Sequence, residues 1–290
     1  MSDQAASVNA SITMIGEDRK GVVAQVTQAL FEAEANIESL EEHVTRGRFH
    51  MNLLASWPPE AVGEGRQERL KGTIQALGAN LGMETRVRFH RGDRQQRMAI
   101  LVTKEPHCLE RLIEAHEEGE LEAVPAVVIG NHDNHLREIA EDAGLPYHHV
   151  PWSRAEAAEA ALLDLLDRYE VDFLVLARFM RILSPGFCYR FRNRILNIHP
   201  SLLPAFPGAS AYRQAWERGV RVVGVTAHFV TPDLDQGPII SQDAFRVDFE
   251  ADVGEITERG QELEAEVLLE AVKTYLEKDL DVHWGRVWSA

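Results

Sequence analysis

His90-Arg91-Gly92-Asp93-Arg94-Gln95-Gln96-Arg97-Met98-Ala99-Ile100-Leu101-Val102 passes in one step from eight residues without an apolar side chain to five that have nothing else. The apolar run has the length and uniformity of a strand covered on both faces, the habit of parallel sheets. The polar run before it belongs to no core and reads as a linker over 91–97. A chain of 290 residues is long enough for two cores, so it divides into a unit over 1–90 and a unit over 98–290.

Forward of the break, the periodicity predicts a helix from Cys108 to Glu117, a strand from Ala123 to Ile129 and a helix from Asn134 to Ala143. A short strand at Tyr147 to Val150, a helix from Ala155 to Tyr169 and a strongly apolar strand from Phe173 to Ala177 follow. Strands alternating with helices imply right-handed crossovers and a mostly parallel sheet with helices on both faces, an α/β fold. Beyond Ile195 the pattern changes to two strands, Val222 to Val230 and Ile239 to Val247, suited to an antiparallel extension of the sheet, and then a charged helix from Ile256 to Lys278.

Backward of the break, Ser11 to Ile15 alternates as a strand and Gly21 opens a helix whose apolar stripe is Val22, Val23, Val26, Leu30 and Phe31. Ile37 to Thr45 and Phe49 to Ser56 form two strands joined at Arg46-Gly47-Arg48, with Pro58 and Pro59 stopping the second. A helix from Gln67 to Leu81 and a strand from Met83 to Phe89 complete a βαββαβ order, which suits a small sheet with helices on one face.

Composition narrows the function. Acidic side chains outnumber basic ones by 46 to 30, and the formal charge of −16 repels phosphate backbones and anionic lipid, so neither nucleic acid nor membrane is an expected partner. The first residues are polar and small, unlike a signal peptide, and no apolar run approaches a membrane span, so the expected compartment is the cytoplasm. Cys108 and Cys188, each in an apolar segment without a C-x-x-C partner, read as buried thiols. His132, His135, His148 and His149 lack accompanying cysteines or a carboxylate motif, and no metal is expected on them.

The densest polar signal is Leu196-Asn197-Ile198-His199-Pro200-Ser201, where a strand end meets a proline-punctuated loop. Residues two apart on a strand share a face, so Asn197 and His199 present an amide and an imidazole to one spot. Pro200 ends the strand there, at the edge where ligands bind in open α/β sheets. Asp235, in Asp233-Leu234-Asp235-Gln236-Gly237-Pro238, offers a carboxylate on a rigid turn. An amide for an oxyanion, an imidazole and a carboxylate are the parts acyl or formyl transfer needs. The same residues also suit turn and cap roles, and the pattern alone leaves the reaction class open.

Taken with Gly224-Val225-Thr226-Ala227-His228-Phe229-Val230 and Leu234-Asp235-Gln236-Gly237-Pro238-Ile239, the Asn197 motif resembles the formyltransferase-fold family of folate-dependent enzymes over about residues 98 to 250. The resemblance implies a Rossmann-like domain in which Asn197, His199 and Asp235 are catalytic. Leu176-Ala177-Arg178-Phe179-Met180-Arg181-Ile182-Leu183-Ser184-Pro185 is similar to that family's folate-pocket segment. It implies substrate contacts at Phe179, Arg181, Ile182, Leu183, His228, Val230 and Gly237, although Phe179, Ile182 and Leu183 fit a core equally well.

Transformylases of glycinamide ribonucleotide carry a glycine-rich turn after the first strand, where backbone amides hold a phosphate. Here Thr103-Lys104-Glu105-Pro106-His107-Cys108-Leu109 has no glycine, a proline without an N–H, and a carboxylate. Water is the simplest acceptor left.

The first unit resembles a ferredoxin-like ACT domain through Gly16-Glu17-Asp18-Arg19-Lys20-Gly21-Val22-Val23-Ala24 and Asn36-Ile37. An ACT domain joined to a formyltransferase-like domain resembles the formyltetrahydrofolate deformylase family. That resemblance implies hydrolysis of 10-formyltetrahydrofolate to formate and tetrahydrofolate, with no further cofactor, supplying formate for purine synthesis and balancing one-carbon pools. Pro200 departs from the second histidine common in that family and matches the transformylase wording, which keeps formyl transfer to an amine as the alternative. Asp18, Gly21, Asn36 and Ile37 are the implied site of an amino-acid effector, glycine or methionine, and self-association to a homo-dimer or homo-tetramer is implied with it. A plain dimerisation module explains the same residues, and a non-catalytic folate sensor is a further reading.

Overall fold

A strand apolar at alternate positions has to cover that face, and the first unit does so with two helices. In the computed structural model, which describes residues 8–45, 47–58, 63–91, 94–278 and 280–289, Ala10, Ile12 and Met14 of β1 (Val8–Glu17) are buried. They pack with Phe49, Met51, Leu53 and Ala55 of β3 (Arg48–Trp57) beneath α1 (Val22–Glu32) and α2 (Glu64–Asn80). With β2 (Asn36–Thr45) and β4 (Glu84–Arg91) the sheet order is β2-β3-β1-β4, all neighbours antiparallel.

Val22, Val26 and Leu30 of the expected α1 stripe are buried, while Phe31 is turned out. Gly21 opens the helix at φ 85, a left-handed conformation that glycine takes without strain. Arg46 and Pro59, expected in the hairpin turn and at the strand stop, lie outside the described residues.

The chain separates into Met1–Arg94 and Gln95–Ala290. The stretch expected as a linker over 91–97 gives Arg91 to β4 and Gln96 and Arg97 to the next strand; Gly92 and Asp93 lie outside the described residues.

The second unit is built on β5 (Gln96–Val102), β6 (Ala123–Gly130), β7 (Tyr147–His149), β8 (Phe173–Ala177) and β9 (Ile195–His199), which form its parallel part. Two antiparallel strands, β10 (Val222–Phe229) and β11 (Ile239–Arg246), extend it to the order β11-β10-β9-β8-β5-β6-β7.

One face carries α3 (His107–Glu117) and α8 (Val253–Glu277), packed on Ile100, Val175, Leu196 and Ile198. The other carries α5 (Ala155–Arg168), packed on Leu101, Val127, Leu174 and Ile195. Each strand thus alternates between two cores, and this is why its sequence is apolar without a break. Further helices are α4 (Leu136–Asp142), α6 (Pro185–Arg190) and α7 (Ala211–Glu217), and a hairpin of β12 (Leu280–His283) and β13 (Arg286–Ser289) follows α8.

Periodicity gives no warning of α6, α7 or the hairpin, because each is shorter than two helical turns or five strand residues. Among the described residues no helix is long and apolar enough to cross a membrane.

Leu268 on α8 is fully buried against the sheet. Leu268→Ala is expected to lower unfolding free energy by about 2–5 kcal/mol, measured as a lower urea midpoint with an unchanged slope.

Candidate active site

Strand β9 alternates Ile195, Asn197 and His199 toward one face and Leu196 and Ile198 toward the other. Its two polar side chains therefore leave the sheet together, at its carboxyl edge. They enter a cavity of about 710 Å³ that is also lined by Phe179, Arg181, Leu183 and Val230. Ile182, Pro200, His228 and Asp235 border the same space.

Gly237 is not among the lining residues. Its part is steric, since a Cβ there would stand 1.6 Å from the Phe229 carbonyl oxygen and 3.2 Å from His228 Nδ1. The absence of a side chain lets the 231–238 turn lie directly on the end of β10.

That turn brings Asp235 over His199. Asp235 adopts φ 55, a left-handed conformation uncommon outside glycine and asparagine. Its Oδ2 accepts the Gly208 N–H at 2.7 Å and faces His199 Nδ1 at 3.5 Å. His199 Nε2 lies 3.0 Å from the Phe206 carbonyl oxygen, which can only accept. The proton on Nε2 is assigned by that contact, and Nδ1 faces the carboxylate. Asp235 Oδ1 has no hydrogen-bond partner among the described residues.

His228 settles the orientation of Asn197. Its Nδ1 lies 2.8 Å from the Phe229 carbonyl, so Nδ1 is the donor and Nε2 carries the lone pair. The Asn197 atom 3.1 Å from Nε2 is then the amide nitrogen, donating. One N–H of Asn197 is anchored and the other remains for the cavity. Burial is the main influence on the His228 pKa and pulls it down; the Phe229 carbonyl and then Asp235 oppose this, and His199 adds to it.

Two devices shape the walls. Thr226, fully buried on β10, donates its hydroxyl to the Ser201 carbonyl at 2.7 Å and accepts the Leu203 N–H at 3.0 Å, which pins the loop after β9. Thr103 Oγ1 accepts the Met180 N–H at 2.9 Å and the Asn131 amide at 2.8 Å, with the Asn131 carbonyl turned to Arg181 Nε at 2.6 Å. Ser184 closes the segment, donating its N–H and hydroxyl to Glu159, both at 2.6 Å, and capping α6. Sequence reading missed Thr103, Asn131, Glu159 and Thr226; the available signal was a polar residue directly after an apolar strand at Thr103 and Asn131 and inside one at Thr226, while Glu159 in the charged α5 carried none.

The loop 103–107, empty of glycine, is tied to α8 instead. Gln261 donates to Glu105 at 3.1 Å and His107 Nε2 lies 3.1 Å from Glu264. His107, Cys108 and Glu264 place one potential ligand atom each within 4.8 Å of one another. The Glu264 carboxylate already faces Arg178 Nε at 3.1 Å and accepts the Tyr212 hydroxyl at 2.6 Å, so an ion would have to displace a guanidinium. Burial first, and Glu264 second, push the Cys108 thiol well above its ordinary range. Of the histidines considered earlier, His148 is bound to the Tyr169 hydroxyl at 2.7 Å.

In the first unit the four effector candidates are not brought together within one chain. Asp18 follows β1 at the end where Glu17 pairs with Arg48, and donates its N–H to Gly47. Asn36 and Ile37 lie at the opposite end of the ladder, where Asn36 pairs with Ser56.

A family profile described as Formyl transferase matches residues 96–272, and an ACT domain profile matches residues 10–88. A formyltetrahydrofolate deformylase of Bacillus subtilis is 40% identical over 273 residues, 92% of this chain and 88% of that protein. The chain belongs to the formyltetrahydrofolate deformylase family. The crystal structure of a formyltetrahydrofolate deformylase from Pseudomonas syringae aligns with a TM-score of 0.66 at 30% identity, over 99% of this chain and 95% of that one. A glycinamide ribonucleotide transformylase from Symbiobacterium toebii aligns with a TM-score of 0.65 at 37% identity, covering 69% of this chain and 96% of that one. The family's deformylases share both units; the transformylase match covers less of the chain.

The lowered pKa of His228 sets a pH dependence. A ring that resists protonation in the fold leaves the unfolded chain to bind the proton first, from about pH 6.5 downward. Stability is therefore complete above that pH and is lost as pH falls toward the folded-state value. In urea unfolding at a series of pH values, His228→Gln should show a shallower decline below about pH 6.5 than the parent.

Proposed function

We propose that this deformylase-family chain hydrolyses 10-formyltetrahydrofolate to formate and tetrahydrofolate at the cavity where Asn197, His199 and Asp235 meet. The meeting of an amide N–H, an imidazole and a carboxylate with a free oxygen at one strand edge carries the reading. The activity that names its relatives, which align over nearly the whole chain, supports it.

Water is held on Asp235 Oδ1, the oxygen without a protein partner, and adds to the formyl carbon as its proton passes to the carboxylate. The oxyanion that forms meets the free Asn197 N–H and the positive charge of His199. Preorganised donors of this kind contribute about 2.7–4 kcal/mol each to transition-state stability. The proton then moves to N10, the C–N bond breaks, and tetrahydrofolate leaves with formic acid, which ionises. Asp235 thus works as the base, while His199, engaged at both ring nitrogens, orients it and supplies charge. The pterin ring lies along the 179–183 segment and Val230, held by the backbone that Thr103 and Glu159 fix. No further cofactor takes part, and the formate serves purine supply and the balance of one-carbon pools.

The Asp18-Gly21 turn and the Asn36-Ile37 strand end lie at opposite ends of one sheet, an arrangement suited to an amino-acid effector, glycine or methionine, taken between copies in a homo-dimer or homo-tetramer. The compartment is the cytoplasm.

Asp235→Asn and His199→Ala should lower kcat by about 10²–10⁴, and Asn197→Ala by about 10²–10³, with circular dichroism unchanged. Formate and tetrahydrofolate are quantified from 10-formyltetrahydrofolate alone. Formyl product that accumulates only when an amine is added would replace hydrolysis by transfer.

A further inference from the structure

Arg178 stands one residue beyond β8 with φ 60, where a side chain is strained and glycine is not. By the alternation of β8 its side chain belongs with Leu174 and Leu176, on the α5 face. It reaches instead to Glu264 of α8, which packs on the face of Val175 and Ala177. The left-handed residue carries the guanidinium across the strand end. Such backbone costs on the order of 1–3 kcal/mol and persists only where its surroundings enforce it.

The enforcing group is Glu264, whose carboxylate is wholly buried. One of its oxygens accepts the Tyr212 hydroxyl, and the other faces both His107 Nε2 and Arg178 Nε at 3.1 Å. The Arg178 Nε–H lies off the hydrogen-bond direction, so the pair is a charge contact. Among the described residues neither Nη group of Arg178 forms a hydrogen bond, and the exposed 16% of the side chain belongs to the lining of the cavity. Arg178 lines the same cavity as Asn197 and His199. A cationic fork is thereby fixed in the cavity that holds the reacting centre, with its donors unspent.

We propose that Arg178 forms a product subsite in which its guanidinium receives the formate ion released beside Asn197 and His199. Formate is planar and carries two equivalent oxygens, the shape a guanidinium fork binds in parallel hydrogen bonds. The rest of the wall offers two more cations, Arg181, which is turned to the Asn131 carbonyl, and Arg213, beside Asp233, Asp235 and Glu258, which repel an anion. Glu264 offsets part of the arginine charge, so the product is held without being trapped. The assignment rests on the hydrolytic reading. The folate's glutamyl carboxylate shares the same chemistry; the cavity that Arg178 shares with Asn197 and His199 is where formate forms, and KM separates the two.

The test is a titration of the full-length protein with ¹³C-formate, followed by NMR, together with formate inhibition of turnover. Arg178→Gly removes the fork and relieves the positive φ; Arg178→Lys keeps the charge without the fork. Arg178→Gly combined with Glu264→Gln removes both charges and leaves no stranded carboxylate, which keeps the test valid if the single variant unfolds.

Formate affinity should fall by about tenfold or more in the glycine variants and less in the lysine variant, while KM for 10-formyltetrahydrofolate moves by less than about twofold. The subsite is overturned by formate affinity that is absent in the parent or equal in parent and variants. It is equally overturned by a KM that rises about tenfold with formate binding unchanged, which assigns the fork to the glutamyl carboxylate. Formate binding is measured without turnover, so a parent that binds formate through Arg178 yet releases none from substrate refutes hydrolysis and leaves the subsite standing.

Discussion

One carboxylate oxygen, Oδ2 of Asp235, joins the two loops of the catalytic unit to the strand between them. It takes the Gly208 N–H from the loop after β9 and faces the His199 ring on β9 itself. Because that oxygen is committed to the protein, the other is left for a small polar ligand. The arrangement depends on Gly237, since the turn bearing Asp235 rests on the Phe229 carbonyl with no room for a Cβ. A site of this kind is built from backbone contacts as much as from side chains.

Burial then assigns each proton. A carbonyl at Phe229 and another at Phe206 can only accept, so each fixes one nitrogen of His228 and His199 as a donor. His228 is left with a lone pair for Asn197, and Asn197 with one N–H for the cavity. Groups set in this way need little reorganisation when charge develops beside them, which is how preorganised dipoles lower a barrier.

The α8 helix supports the cavity from the opposite core. Its apolar stripe packs on β9 and β10, while Glu264 gathers Tyr212 of α7, His107 of α3 and Arg178 just beyond β8. Removing one partner from such a buried cluster strands a charge and costs about 3–5 kcal/mol. The loop after β5 is held by the same helix through Glu105 and His107.

Local pattern determined the βαββαβ unit, the alternating strands and helices of the second unit, and the pairing of Asn197 with His199, because period and strand direction are properties of neighbouring residues. The resemblance carried by the segments around Asn197, His228 and Asp235, joined to the ACT-like first unit, identified the family from motifs alone. Short elements such as α6 and α7 left no periodic trace. Only tertiary structure decided that Asp235 lies over His199, that Asn36 and Ile37 stand at the far end of the sheet from Asp18 and Gly21, that Gly237 works by close approach, and that Arg178 crosses the strand end to Glu264. Each of these depends on a loop path or a backbone angle. Those are fixed by buried hydrogen bonds between residues distant in the chain, such as Thr226 to Ser201, and such bonds have no period to read.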